Sequence, residues 1–166
     1  MTALHLTIPV PCPPGQTQEY LERYFAEQSP DGDQAVIALR APISLPGLPE
    51  IAPVRDCVVR ASRSRVPGEM IPRYAVSWES AGGGPYPKFR GTVSIPNDED
   101  YRSCFIALDG EYEPPGGAAG QAFDAALGRA IANSTGRDLL TRIAAFITQS
   151  ARSAETAKAN ARAAES

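Results

Sequence analysis

The 166 residues suit one domain with a real core. A net charge of −3 leaves the chain without the basic stripe that a nucleic-acid surface needs; the nearest approach, Arg60, Arg63 and Arg65 in RASRSR, reads as a solvated strand end. Three widely spaced cysteines, Cys12, Cys57 and Cys104, argue against a disulfide framework or a zinc site, and no run approaches the ~18 apolar residues of a membrane span. Free buried thiols, and an N-terminus with no basic region ahead of an apolar one, make the cytoplasm the expected compartment.

LHLTIPV opens with period-two alternation: Leu4, Leu6 and Ile8 on one face, His5 and Thr7 on the other. That is a half-buried strand. PCPPG breaks it, and QTQEYLERYFAEQ reads as a helix with Tyr20, Leu21, Tyr24 and Phe25 on one side. From residue 35 to 113 short apolar stretches alternate with Pro, Gly and Asp turns. This predicts five strands with no helical crossover, hence antiparallel neighbours. Pro42 predicts an edge or a bulge. By parity, Tyr74, Val76 and Trp78 share a face, as do Phe89, Gly91, Val93 and Ile95, and Cys104, Ile106, Leu108, Gly110 and Tyr112. Asp109, Glu111 and Glu113 point the other way, to a wet outer side.

Pro114 and Pro115 end the last strand, Gly116 and Gly117 turn the chain, and a long helix is predicted from near Ala118. One stripe of it holds Phe123, Leu127 and Ile131, and stops where Arg137, Asp138 and Thr141 take over. A second, holding Gly128, Ala132, Thr135, Leu139, Ile143 and Phe146, runs the whole length and is assigned to the sheet. The first stripe is left for the N-terminal helix, a partner, or a break near Gly136. Residues 148–166 are poor in large apolar side chains and predict a frayed helical extension or a disordered tail.

This order of elements is that of a helix-grip fold. The wording of IPRYAVSWE, YPKFRGTVSI, LDGEYEPPGGAAGQAFD and ANSTGRDLLTRIAAFI resembles the START-like superfamily, also called SRPBCC or Bet v 1-like. That superfamily includes the polyketide cyclase/dehydrase group, and the likeness is greatest to its uncharacterised bacterial members. It covers roughly residues 1–147, is strongest from Ile71 onward, and is most specific in Leu108 to Pro115. The resemblance implies an α+β domain over 1–147, with a curved antiparallel sheet of about seven strands packed around the long C-terminal helix. The segments above supply six. It also implies a cavity between sheet and helix for a small hydrophobic or amphipathic molecule, such as a lipid, sterol or polyketide.

The residues agree in one respect: Gly128, Ala132 and Thr135 put little volume on the sheet-facing stripe. Either the helix lies close to the sheet there, or room remains for a ligand. The candidate lining is Tyr74, Trp78, Phe89 and Tyr112 from the sheet, and Gly128, Ala132, Thr135 and Leu139 from the helix. The competing account of these aromatics is ordinary core packing. Arg73 and Arg90 are candidate rim anchors for an acidic headgroup, although both are expected to face water.

No catalytic constellation emerges. His5, the only histidine, has outward parity, and so do the three carboxylates of the last strand and Glu79. Relatives commonly carry a histidine or other polar residue early in the last helix, where this chain has LGRAIA; that departure weakens a cyclase-like mechanism. Asp124 is explained by the helix N-terminus. SAGGGPYP lacks the Lys-Ser/Thr of a phosphate loop and reads as a hairpin. Neither a metal nor a cofactor is expected. The expectation is therefore a binding or carrier protein. The alternatives are a cyclase/dehydrase-like enzyme using the same cavity, or an interaction module presenting Phe123, Leu127 and Ile131. Ligand identity and oligomeric state stay open.

Overall fold

A computed structural model describes residues 1–29, 35–41, 55–64, 67, 73–82, 86–96, 102–114 and 121–165. The first strand, β1 (Thr2–Val10), buries Leu4, Leu6 and Val10 and exposes His5 and Thr7. Helix α1 (Pro14–Glu27) then starts on a proline, whose missing N–H is no loss in a first turn. It buries Thr17, Tyr20, Leu21, Tyr24 and Phe25. At its end the Ser29 hydroxyl donates to the Phe25 carbonyl at 2.7 Å, and the Gln28 carbonyl accepts from the Val36 N–H at 3.0 Å, which ties the helix to the next strand.

That strand, β2 (Ala35–Ala41), opens an antiparallel meander with β3 (Arg55–Ser64), β4 (Arg73–Ser80), β5 (Lys88–Ser94) and β6 (Cys104–Glu113). β1 pairs with β6, so the sheet order is β1-β6-β5-β4-β3-β2. Period two decides the faces: Cys57, Val59, Ala61, Tyr74, Val76, Trp78, Phe89, Val93, Cys104, Ile106, Leu108 and Tyr112 are all buried. The described residues form six strands where the resemblance implied about seven; Pro42 and the rest of 42–54 lie outside them.

Helix α2 (Gln121–Ala164) has 44 residues, about 66 Å at 1.5 Å per residue. It packs on β1, β6 and β2, so the sheet curls far enough for both edge strands to meet the same helix. The Arg142 guanidinium donates to the Ala38 carbonyl at 3.4 Å, bringing a cation to the β2 edge. This is the α+β helix-grip architecture.

The stripe assigned to the sheet is the buried one: Gly128, Ala132, Thr135, Leu139 and Ile143 are all covered. One assignment needs correction: Phe146 is half-buried and lies edge-on against Tyr24 of α1, with ring centroids 5.4 Å apart, while Ile147 takes the fully buried place. Ile131, on the other stripe, is also covered, at 2% exposed. The curved sheet and α1 together cover a broad arc of the helix, wider than one row of side chains. The side chains of Phe123 and Leu127 lie outside the described residues, as do Pro115 to Gly120. Beyond Ile147 the helix runs on to Ala164, with Ala151 still partly covered and residues 155–165 exposed.

Candidate functional site

Strand register lines up one inward row across the sheet: Ile37, Val59, Trp78, Phe89 and Tyr112 stand opposite one another in turn. The Trp78 and Phe89 rings stack at 3.9 Å with 13° between their planes. What lets Phe89 lie so flat is a pair of glycines. Gly91 and Gly110 face each other on β5 and β6, and a Cβ on either would meet the tip of the Phe89 ring, at 2.5 and 2.7 Å. Any side chain there would also strike the neighbouring backbone, at the Asp109 carbonyl from Gly91 and the Arg90 carbonyl from Gly110. The glycine pair is thus the bed of the aromatic row.

Tyr74 shares the face but not the row. It stands opposite Val93, and Phe25 of α1 stacks on it at 4.4 Å. Burial pushes its hydroxyl up to about 12, with Glu22 adding to the rise and Arg63 opposing it. Glu22 and Arg63 form a half-exposed ion pair at 3.1 Å, so Tyr74 sits toward the margin of the interior.

Opposite the sheet, Thr135 belongs to a buried polar group that sequence reading missed. The Thr135 hydroxyl donates to the Ile131 carbonyl at 2.9 Å and also bonds to the Tyr86 hydroxyl. Thr135 has one proton, so Tyr86 must be the donor to it. Cys57 on β3 lies within electrostatic reach of Tyr86. Burial raises the Cys57 thiol to about 12 and raises the Tyr86 hydroxyl as well. The available signal was weak: Cys57 has the inward parity of Val59, and Tyr86 closes a segment that reads only as a hairpin.

The expected lining is covered in this form. Tyr74 is 4% exposed, Trp78 2%, Phe89 and Tyr112 1%, and Ala132, Thr135 and Leu139 0%. Next to the small-residue stripe, at Gly136, the helix lies close on the sheet. A Cβ on Gly136 would lie 2.7 Å from Leu6 Cδ1 and 2.9 Å from Leu108 Cδ2. Among the described residues one buried indole stands out: Trp78 Nε1 has no hydrogen-bond partner. Leaving such a donor unpaired costs about 1–3 kcal/mol.

The titratable groups set aside on parity lie outside. His5 pairs with Asp109 across the outer face, with side chains 68% and 49% exposed. Glu79 lies 2.6 Å from Arg60, whose hydrogen bond and charge hold its carboxyl below the usual range. Glu111, Glu113, Arg73 and Arg90 are exposed. Among the described residues no three His, Cys, Asp or Glu side chains gather as a metal site requires, and no helix is long and apolar enough to cross a membrane.

No protein-family model matches the chain, and no curated protein matches it. Solved structures do. A conserved protein from Geobacillus kaustophilus superposes with a TM-score of 0.50 at 10% identity, over 87% of this chain and 95% of that one. A START superfamily protein from Mycobacterium smegmatis gives 0.48 at 14% identity, over 86% and 97%. The Zhui aromatase/cyclase of a Streptomyces species gives 0.41 at 15%, over 90% and 93%. At such identities the likeness concerns the fold. The strand order and the gripped helix are those of an α+β helix-grip fold.

Proposed function

We propose that this protein binds a small hydrophobic or amphipathic molecule between the inner face of the sheet and α2. Trp78, Phe89 and Tyr112 form the floor, Gly128, Ala132, Thr135 and Leu139 the opposite wall, and Tyr74 the margin. The observation that carries the reading is the orphan indole N–H of Trp78 in the middle of a stacked aromatic row. Buried donors are normally paired, and an unpaired one calls for a reason. A bound molecule that brought an acceptor would remove the penalty. Because the lining is covered in this form, binding must part the interior, and entry is coupled to a change in packing. Binding rather than catalysis is favoured because the histidine and the outer carboxylates lie on the far side of the sheet.

Trp78 is the only tryptophan, so its emission reports on this site alone. Titration with a naphthalene-type probe is expected to shift that emission saturably and to raise the melting temperature. Native mass spectrometry of freshly purified protein would show any molecule already carried. No emission change and no thermal shift at saturating probe would refute the proposal.

A further inference from the structure

The polar inventory of the interior constrains what the site accepts. The Thr135 proton is engaged by the Ile131 carbonyl and the Tyr86 proton by Thr135, so neither hydroxyl of this pair has a proton left to donate. Trp78 differs: its indole nitrogen is a donor with no acceptor capacity, and it is unpaired. Charge is missing as well. Among the described residues no Asp, Glu, Lys, Arg or His side chain is buried, so a carboxylate or ammonium brought inside would lose its hydration and gain no counter-charge.

From this we infer that the ligand is a neutral, largely apolar molecule bearing an acceptor oxygen, a ketone, ester or quinone type of group, which takes its hydrogen bond from Trp78 Nε1. The inference rests on the binding reading above. Stacking adds a geometric condition. The indole lies nearly parallel to Phe89, so its N–H points along that plane and the acceptor must arrive at the ring edge. A hydrocarbon of the same shape would fill the same space and leave the donor orphaned. A fatty-acid type of carboxylate would be rejected from the interior.

Three probes of similar size separate these cases: 2-acetonaphthone, 2-ethylnaphthalene and 2-naphthoate, measured by equilibrium dialysis at neutral pH against wild type and Trp78→Phe. In wild type the ketone should bind about tenfold more tightly than the hydrocarbon, the scale of one buried hydrogen bond, and more tightly than the carboxylate. Trp78→Phe should bring the ketone to the level of the hydrocarbon. The single indole N–H resonance of the wild type should move downfield with the ketone and stay nearly unmoved with the hydrocarbon, a comparison that holds even if the variant does not fold. Equal affinity for ketone and hydrocarbon, or tighter binding of the carboxylate, would overturn the inference while leaving the binding site standing. Failure of all three probes to bind would remove both.

Discussion

Gly136→Ala sets two effects of comparable size against each other. In an exposed helix the change stabilises by about 1 kcal/mol, because glycine is the poorer helix former. Here the new methyl would sit 2.7 Å from Leu6 Cδ1, 2.9 Å from Leu108 Cδ2 and 3.6 Å from Leu4 Cδ2. The first two distances are well inside ordinary carbon contact, near 3.5–4 Å. Both are ends of leucine side chains, which move more easily than backbone, but Leu108 is 0% exposed and Leu6 8%, so they have little space to move into. Overpacking of this kind costs about 1–3 kcal/mol. The contact outweighs the propensity, and a net loss of about 1 kcal/mol is expected in a urea melt followed by far-ultraviolet circular dichroism. Gly136→Val should lose more, having two further methyl groups to place. Leu6→Val trims the nearest neighbour, so combining it with Gly136→Ala should recover at least about 0.5 kcal/mol of coupling. A Gly136→Ala protein that gained the full helix-propensity increment, with no coupling to Leu6, would show that α2 does not press on β1 and β6.

Leu139→Ala should cost about 2–5 kcal/mol, as for other fully buried leucines, and more than Phe146→Ala, since Phe146 is only half-buried against α1; the reverse order in urea melts would mean that α2 is rotated. Alkaline pH should destabilise the fold: Cys57 is raised from 9.0 to about 12 and Tyr74 from 10.0 to about 12, so above pH 9 the unfolded chain releases protons that the folded chain retains. Stability should be intact below pH 9 and fall between pH 9 and 12, with Cys57 alone contributing a slope of up to about 1.4 kcal/mol per pH unit; Cys57→Ala should flatten the first part of that fall, and an unfolding free energy constant to pH 11 would contradict it. Removal of residues 155–166 should leave stability within about 0.5 kcal/mol, as for other exposed surface, in keeping with a domain confined to 1–147 and a separate extension; a large drop in melting temperature would join the extension to the domain.

What could be read from the chain was whatever depends on near neighbours. Alternation placed Leu4 and Leu6, Tyr74, Val76 and Trp78, and Cys104, Ile106, Leu108 and Tyr112 on the inner face, because successive strand side chains point to opposite sides whatever the sheet does next. Helical spacing likewise found Ala132, Thr135, Leu139 and Ile143, and outward parity kept His5 out of the interior. Tertiary structure alone decided how wide the buried arc of α2 is, and with it the fates of Ile131, Phe146 and Ile147. A period fixes the direction of a stripe, whereas curvature of the facing sheet fixes its breadth. The same holds for Gly91 and Gly110, whose meeting under Phe89 depends on β5–β6 register. It holds for Cys57, Tyr86 and Thr135, which come from a strand, a hairpin and a helix with up to 77 residues between them. No local pattern encodes such a meeting, because the hydrogen bonds form only after the sheet has closed around the helix.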